Sequence, residues 1–332
     1  MLDRFAAFLD TAQRILLTTH EHPDGDGTGA MVGLAHYLRH QGKEVRIVVS
    51  PHLPASLRFM DTEGWIEAYD EAAHADLQAW PDAWVLVDAS EPKRLGKMLS
   101  QFQASKAVKV CLDHHVKDAP MGFDLEFTDA TASASAQLVA RMAADRMSRP
   151  LPAAMAQALY TGIVDDTGNF RFSNATADVH RIAADLIDDG VEPARIYQAL
   201  YHQGRPEKLK IQGRAFERMA LMEGGTYARM SLSLQDMADC QATHDDLEGL
   251  VNKPLELAGV EVSCLLEEQG PDRVKISLRS RERVNVNAVA RLFDGGGHIL
   301  ASGARIAADL EEAGRRLDAE VSRQLSRDLP DA

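Results

Sequence analysis

Short apolar runs of strand length alternate with stretches of helical pattern through the first half of this chain, and that alternation limits its folds more than any other feature. Arg14 to Thr19 (RILLTT), Val45 to Val49 (VRIVV), Trp84 to Val87 (WVLV) and Ala107 to Leu112 (AVKVCL) read as strands. Helical stretches such as Gly29 to Gln41 lie between them. This order predicts βαβ units, and so an α/β fold with a mainly parallel sheet and helices on both faces.

The pattern changes along the chain. From Thr131 to about Gly190 it is helical and rich in alanine, and a charged helical stretch follows, interrupted at Gly204 and Pro206. Beyond it, TYARMSLSL, GVEVSCLLEE and DRVKISLRS alternate every second residue like a small sheet, before DGGGHILASGARI and a polar closing helix. The expected organisation is a first domain over residues 1–190, a helical linker over 191–220 and a smaller α/β domain over 221–332.

The 332 residues carry 36 Lys and Arg against 50 Asp and Glu, a net charge of −14. So acidic a chain is poorly suited to wrapping long nucleic acid, where affinity comes from many cation contacts to phosphate. A small phosphate ligand remains compatible, with divalent metals supplying local positive charge. The three cysteines, Cys111, Cys240 and Cys264, are far apart and form no CxxC pair, which excludes a disulfide framework and a cysteine-ligated zinc site and fits a cytoplasmic protein. The N-terminal stretch has Asp3 and Asp10 within its apolar pattern and reads as an amphipathic helix, not a signal peptide. No apolar stretch is long enough to predict a membrane span.

Acids and histidines cluster at the carboxyl ends of the predicted strands. His20, Asp24 and Asp26 follow the first, Asp88 follows WVLV, and Asp113, His114 and His115 follow AVKVCL. In an open α/β sheet, ligands bind beyond those strand ends. A single acid there reads equally well as a helix cap. Three strands delivering such groups to one edge point instead to a cation site, because crowded carboxylates repel unless a cation shares them. Carboxylates and imidazoles without thiolate suit Mn²⁺, Mg²⁺ or Fe²⁺, and the number of candidate ligands suits two ions. Asp166 ends a further helical run with an adjacent acid, Asp165; neighbouring carboxylates point apart, so one of the two enters a given site.

Gly25 to Ala30 formally matches the dinucleotide-binding pattern G-x-G-x-x-A. Asp24 and Asp26 would face the pyrophosphate, however, and the second strand ends in Ser50 without a ribose-binding acid. In the second domain, Gly295, Gly296, Gly297 and His298 precede what reads as a small-residue helix start, Ala301-Ser302-Gly303. Such glycines let backbone N–H groups approach an anion, and Arg279 and Ser280 end a strand with a guanidinium suited to phosphate. No P-loop, GxSxG or HExxH pattern occurs.

Taken together and in order, these motifs resemble the DHH/DHHA1 phosphoesterases, in particular the short two-domain oligoribonuclease and pAp-phosphatase branch. The resemblance implies that His20, Asp24 and Asp88 hold one Mn²⁺ and that Asp26, Asp88, His114 and Asp166 hold a second, with Asp88 shared. It implies that Asp113 orients its neighbours and that His115 faces the substrate phosphate, so that Asp88, Asp113, His114 and His115 carry the catalysis. Arg279, Ser280, Gly295 to Gly297 and His298 would grip the terminal phosphate or base side of the substrate. Gly29-Ala30 and Ala301-Ser302-Gly303 replace the family's common Gly-Ser and Ala-Ala-Gly, and both changes keep small residues.

The implied reaction is hydrolysis of RNA of two to a few nucleotides to mononucleotides, and of 3′-phosphoadenosine 5′-phosphate (pAp) to AMP. Length selection would come from gripping one end of the substrate. Alternatives are a phosphodiesterase for cyclic-di-AMP or linear pApA, a catalytically dead nucleotide-binding regulator, and an inorganic pyrophosphatase. The resemblance further implies a homodimer joined through the first domain, and leaves no room for the extra domains of long-DNA nucleases.

Overall fold

The computed structural model describes residues 1–115 and 122–329. The chain divides into two compact units, Met1–Gln203 and Gly204–Ala332.

The first unit runs α1 (Leu2–Thr11), β1 (Arg14–Thr18), α2 (Gly25–His40), β2 (Glu44–Val49), β3 (Ile66–Ala68), β4 (Ala83–Val87), α3 (Leu99–Ala104), β5 (Val108–Asp113), β6 (Leu125–Thr128), α4 (Ser135–Arg146), α5 (Ala153–Asp166), α6 (Ala177–Asp188) and α7 (Pro193–Tyr201). Among the described residues its six strands lie in the order β3-β2-β1-β4-β5-β6, all parallel. The apolar runs are continuous because both faces of the central strands are covered, as parallel sheets require. On β1, Ile15 and Leu17 enter the larger core while Leu16 enters the smaller one; on β4, Val85 and Val87 take the first side and Trp84 and Leu86 the second. Phe5, Met31, Leu138 and Leu159, from four helices, fill the larger core. Leu95, Met98 and Phe102 cover the other face. The edge strands β3 and β6 escape sequence reading because IEA and LEFT are short and mixed in polarity.

The glycines of α2 serve helix packing. A Cβ on Gly29 would collide with the carbonyl oxygen of Ala158, and one on Gly33 with the Leu159 side chain. Their absence lets α2 lie close against α5.

The second unit contains α8 (Pro206–Glu217), β7 (Ala220–Met222), β8 (Tyr227–Leu232), α9 (Leu234–Cys240), β9 (Val262–Gly270), β10 (Arg273–Ser280), α10 (Val286–Arg291), β11 (Gly296–Gly297), β12 (Ala301–Ile306) and α11 (Leu310–Asp328). Its sheet has the order β11-β12-β10-β9-β8-β7, antiparallel except for the parallel pair β8–β9. Val274, Ile276 and Leu278 pack with Leu317 and Val321 of α11. The opposite face of β8 and β9 is covered by Ile211 and Leu250, which meet Met230 and Leu265.

Ala301-Ser302-Gly303 corrects the sequence reading. It opens β12, not a helix, and pairs antiparallel with β10. Ser302, Ala304 and Ile306 are buried in alternation with more exposed neighbours, the two-residue period of a strand.

Candidate metal centre and glycine loop

Parallel strands bring the chemistry to one edge. His20, just past β1, is buried, with Nε2 3.2 Å from Asp24 Oδ2 and 3.7 Å from Asp88 Oδ2. Its Nδ1 lies 3.0 Å from the Glu21 carbonyl, which accepts the proton there and turns Nε2 toward the acids. Asp24 fills both roles open to it from sequence: Oδ1 caps α2 by accepting from Gly27 N, while Oδ2 faces His20. Asp26, in the first turn of α2, is buried and accepts from the backbone N–H groups of Ser135 and Ala136 at 2.6 and 2.8 Å. These are orphan donors at the start of α4, where a carboxylate is favoured.

Asp88 follows β4 with φ of 56° and is 2% exposed. A left-handed aspartate carries strain that its surroundings must hold in place. His114, after β5, points Nε2 into the acids, 3.3 Å from Asp166, 3.4 Å from Asp88 and 3.7 Å from Asp26. Among the described residues this buried nitrogen faces these carboxylates without a well-formed hydrogen bond. Asp113 Oδ1 accepts from the backbone N–H groups of His114 and His115 and lies 2.8 Å from His115 Nδ1. Asp165 and Asp166 do point apart: Asp165 accepts from Gly25 N at 2.8 Å, and Asp166 faces His114.

Among the described residues three groups of donor atoms within 4.8 Å result: His20, Asp24 and Asp88; Asp26, His114 and Asp166; and Asp88, Asp113, His114 and His115. The electrostatics are those of a site short of positive charge. Burial, then the charges of Asp88, Asp166 and Asp24, drive the Asp26 carboxyl well above its ordinary range. Burial raises Asp166 to about 7, aided by Asp88 and Asp24 and opposed by His114. Burial alone would lower the two imidazoles, yet Asp24 and Asp88 push His20 up to about 10, and Asp88 and Asp166 push His114 up to about 9. Burial would raise Asp88, but His114 and His20 hold it far below the usual carboxylate range. Asp113 is held low by His115 against the effect of burial. Protons on imidazole here do what divalent cations do better, and a buried His114 nitrogen turned toward three carboxylates without a well-formed hydrogen bond fits a metal ligand. The cluster can bind metal ions.

In the second unit, a Cβ on Gly297, at φ of 137°, would lie 2.5 Å from the Ala301 carbonyl oxygen, and one on Gly295 would meet Gly303 and Ala304. These glycines let β11 approach β12 closely. Backbone bonds between His298 and Ala301 close the turn. Arg279 is half-buried, and burial lowers its pKa. Ser280 departs from the substrate-binding expectation: it is 6% exposed, and its hydroxyl accepts from Val284 N. Adjacent strand residues face opposite sides, so Ser280 braces the core side while Arg279 faces away from it. Sequence reading named Asp165 beside Asp166 without its partner, the Gly25 N–H, and missed Ser135, which acts through its backbone N–H on Asp26.

The sequence matches the DHH family, N-terminal domain, over residues 14–163 and the DHHA1 domain over residues 228–326. It is 33% identical over 317 residues to the bifunctional oligoribonuclease and PAP phosphatase NrnA of Thermus thermophilus, covering 94% of this chain and 90% of that protein. The chain belongs to the DHH/DHHA1 family. A second family member, the Bacillus subtilis protein of the same description, is 29% identical over 90% of this chain and 93% of its own length. The crystal structure of an exopolyphosphatase-related protein from Bacteroides fragilis superposes with a TM-score of 0.91 at 28% identity, covering 97% of this chain and 95% of that one. Membership makes this DHH/DHHA1 protein a hydrolase. Among the described residues, no helix is long and apolar enough to cross a membrane.

Proposed function

We propose that this DHH/DHHA1 protein is a two-metal phosphoesterase that hydrolyses RNA of two to a few nucleotides to mononucleotides, and pAp to AMP. The observation that carries the proposal is the position of Asp88, whose carboxylate belongs both to the His20 and Asp24 group and to the group containing His114 and His115. In this reading His20, Asp24 and Asp88 hold one ion, and Asp26, Asp88, His114 and Asp166 the other. Mn²⁺ suits these oxygen and imidazole donors, with Mg²⁺ or Fe²⁺ as substitutes. When bound, such ions polarise the phosphoryl group and activate water as a nucleophile.

The protein's own groups do the rest. Helix α4 fixes Asp26 through two backbone donors, and Asp113 sets the orientation of the His114 and His115 segment. His115, hydrogen-bonded through Nδ1 to Asp113, carries a proton on Nε2 toward the leaving oxygen. Arg279, the Gly295 to Gly297 loop and His298 bind one end of the substrate, and that grip favours short substrates.

The test is hydrolysis by metal-stripped protein with Mn²⁺ restored, on a 5′-phosphorylated diribonucleotide, a long RNA, pAp and cyclic-di-AMP. Rapid turnover of the dinucleotide or pAp is expected. Preference for the cyclic substrate would reassign the protein to cyclic-dinucleotide breakdown, and no turnover on any of them would overturn the enzymatic reading.

A further inference from the structure

His20, Asp24 and Asp26 all come from the segment 20–26, so whatever holds that segment acts on two groups of ligands at once. Its backbone is tied to other parts of the chain. Glu21 N donates to the Arg94 carbonyl at 2.6 Å, His22 N to the Ser50 carbonyl at 2.8 Å, and Gly25 N to Asp165 Oδ2 at 2.8 Å. The first two partners are main-chain oxygens, which any residue would supply. The third is a side chain, and it depends on what stands at position 165. The segment needs such ties, because His22 has a φ of 61° and a left-handed histidine keeps that conformation only where its surroundings impose it.

Asp165 reaches Gly25 through the period of α5. Ala158, Gly162 and Asp165 recur at i, i+4 and i+7 and so share one face of that helix. The face lies on α2. A Cβ on Gly29 would meet the Ala158 carbonyl and the Gly162 backbone, one on Gly162 would come within 3.1 Å of Asp26 Oδ1, and one on Gly25 would fall 2.6 Å from Asp165 Cβ and Oδ2. Asp166, one position on, is turned by about 100° around the helix axis and faces His114 instead. The fit between positions 25 and 165 is reciprocal. A bare glycine leaves the space that the carboxylate fills, and the carboxylate takes the first N–H of α2, a donor with no partner inside its own helix.

We propose that Asp165 is a positioning residue for both metal ions, acting through the Gly25 N–H. Pinning the residue between Asp24 and Asp26 sets the separation and direction of two carboxylates that serve different ions, Asp24 with His20 and Asp26 with His114. The α4 N–H groups and Asp113 steer the second ion's ligands alone. The inference rests on the two-metal reading given under Proposed function and deepens it: of the adjacent acids at the end of α5, Asp166 supplies a donor atom and Asp165 holds other donors in place.

Asp165→Ala, with Asp165→Asn as the conservative variant, tests this on the full chain. Asn keeps a carbonyl oxygen for Gly25 N and loses the charge. Mn²⁺ binding to metal-stripped protein, read without substrate from the paramagnetic resonance of the free ion, should weaken for both ions by about 10- to 100-fold in Asp165→Ala. Asp165→Asn should recover most of that loss. Gly25→Ala, which forces a methyl group onto Asp165, should weaken Mn²⁺ binding from the other side of the same contact. With Mn²⁺ limiting, kcat of Asp165→Ala on the 5′-phosphorylated diribonucleotide should fall with occupancy and return as Mn²⁺ is raised, with KM unchanged. Wild-type Mn²⁺ affinity in Asp165→Ala and Gly25→Ala, even with stability lowered, would overturn the proposal. So would weakening of one ion alone, or an Asp165→Asn variant that loses Mn²⁺ as fully as Asp165→Ala, the behaviour of a ligand and not of a support. A wild-type protein that binds two Mn²⁺ with this dependence on Asp165 but hydrolyses nothing would overturn the enzymatic reading and leave the positioning role standing.

Discussion

The two sheets of this protein present their functional groups in opposite ways. In the first unit every strand runs in the same direction, so the loops after β1, β4 and β5 open on one edge, and the acids and histidines collect at strand ends. In the second unit the paired strands β10 and β12 run antiparallel, and the candidate groups lie along the strands, with Lys275, Ser277 and Arg279 facing out in register with β12. Ends converge on a point; a face spreads over a distance. A point suits a reacting centre where several ligands must meet, and a face suits the binding of an extended substrate. The signs of charge follow the same division, with buried acids at the edge and cations on the face.

If that division holds, substitutions in the first unit act on kcat and those in the second on KM. Asp88→Ala should have the largest effect, cutting kcat by about 10³-fold or more, beyond the 10- to 100-fold typical of residues that only orient ligands. Full turnover by this variant, with circular dichroism confirming its fold, would break the two-metal scheme. Asp113→Asn keeps the size of the side chain but removes the charge that His115 Nδ1 faces. It should reduce kcat or Mn²⁺ affinity by about 10- to 100-fold, read by titrating metal into stripped protein. Gly29→Ala pushes a methyl group into the Ala158 carbonyl, so denaturant unfolding should show a loss of about 1–3 kcal/mol. His298→Ala should raise KM about tenfold with kcat preserved; a fall in kcat of that size would blur the comparison. Gly296→Ala should be mildest, since a Cβ there meets nothing within 4 Å, and stability should change by less than about 0.5 kcal/mol.

The fold class was legible because the central strands are buried on both sides and must be apolar throughout. So was the gathering of His20, Asp24, Asp88 and His114, since parallel strands leave their carboxyl ends together and only the order of motifs is needed. The anchoring of Asp26 was hidden: its partners are backbone N–H groups of Ser135 and Ala136, which no side-chain pattern marks. β12 was hidden for a different reason. Ala-Ser-Gly offers little contrast between faces, and its strand period appears only once Ala304 and Ile306 are seen buried with Ser302. Ser280 was open to a simpler argument, because a residue next to Arg279 on a strand faces the other way.

The clamp of α4 on Asp26 also makes the protein its own reporter. Two amide protons, those of Ser135 and Ala136, are held by a carboxylate whose charge the whole cluster shares. Their rate of exchange with deuterated solvent should therefore change when a cation is titrated into the cluster, so the helix start would report on occupancy of the strand ends.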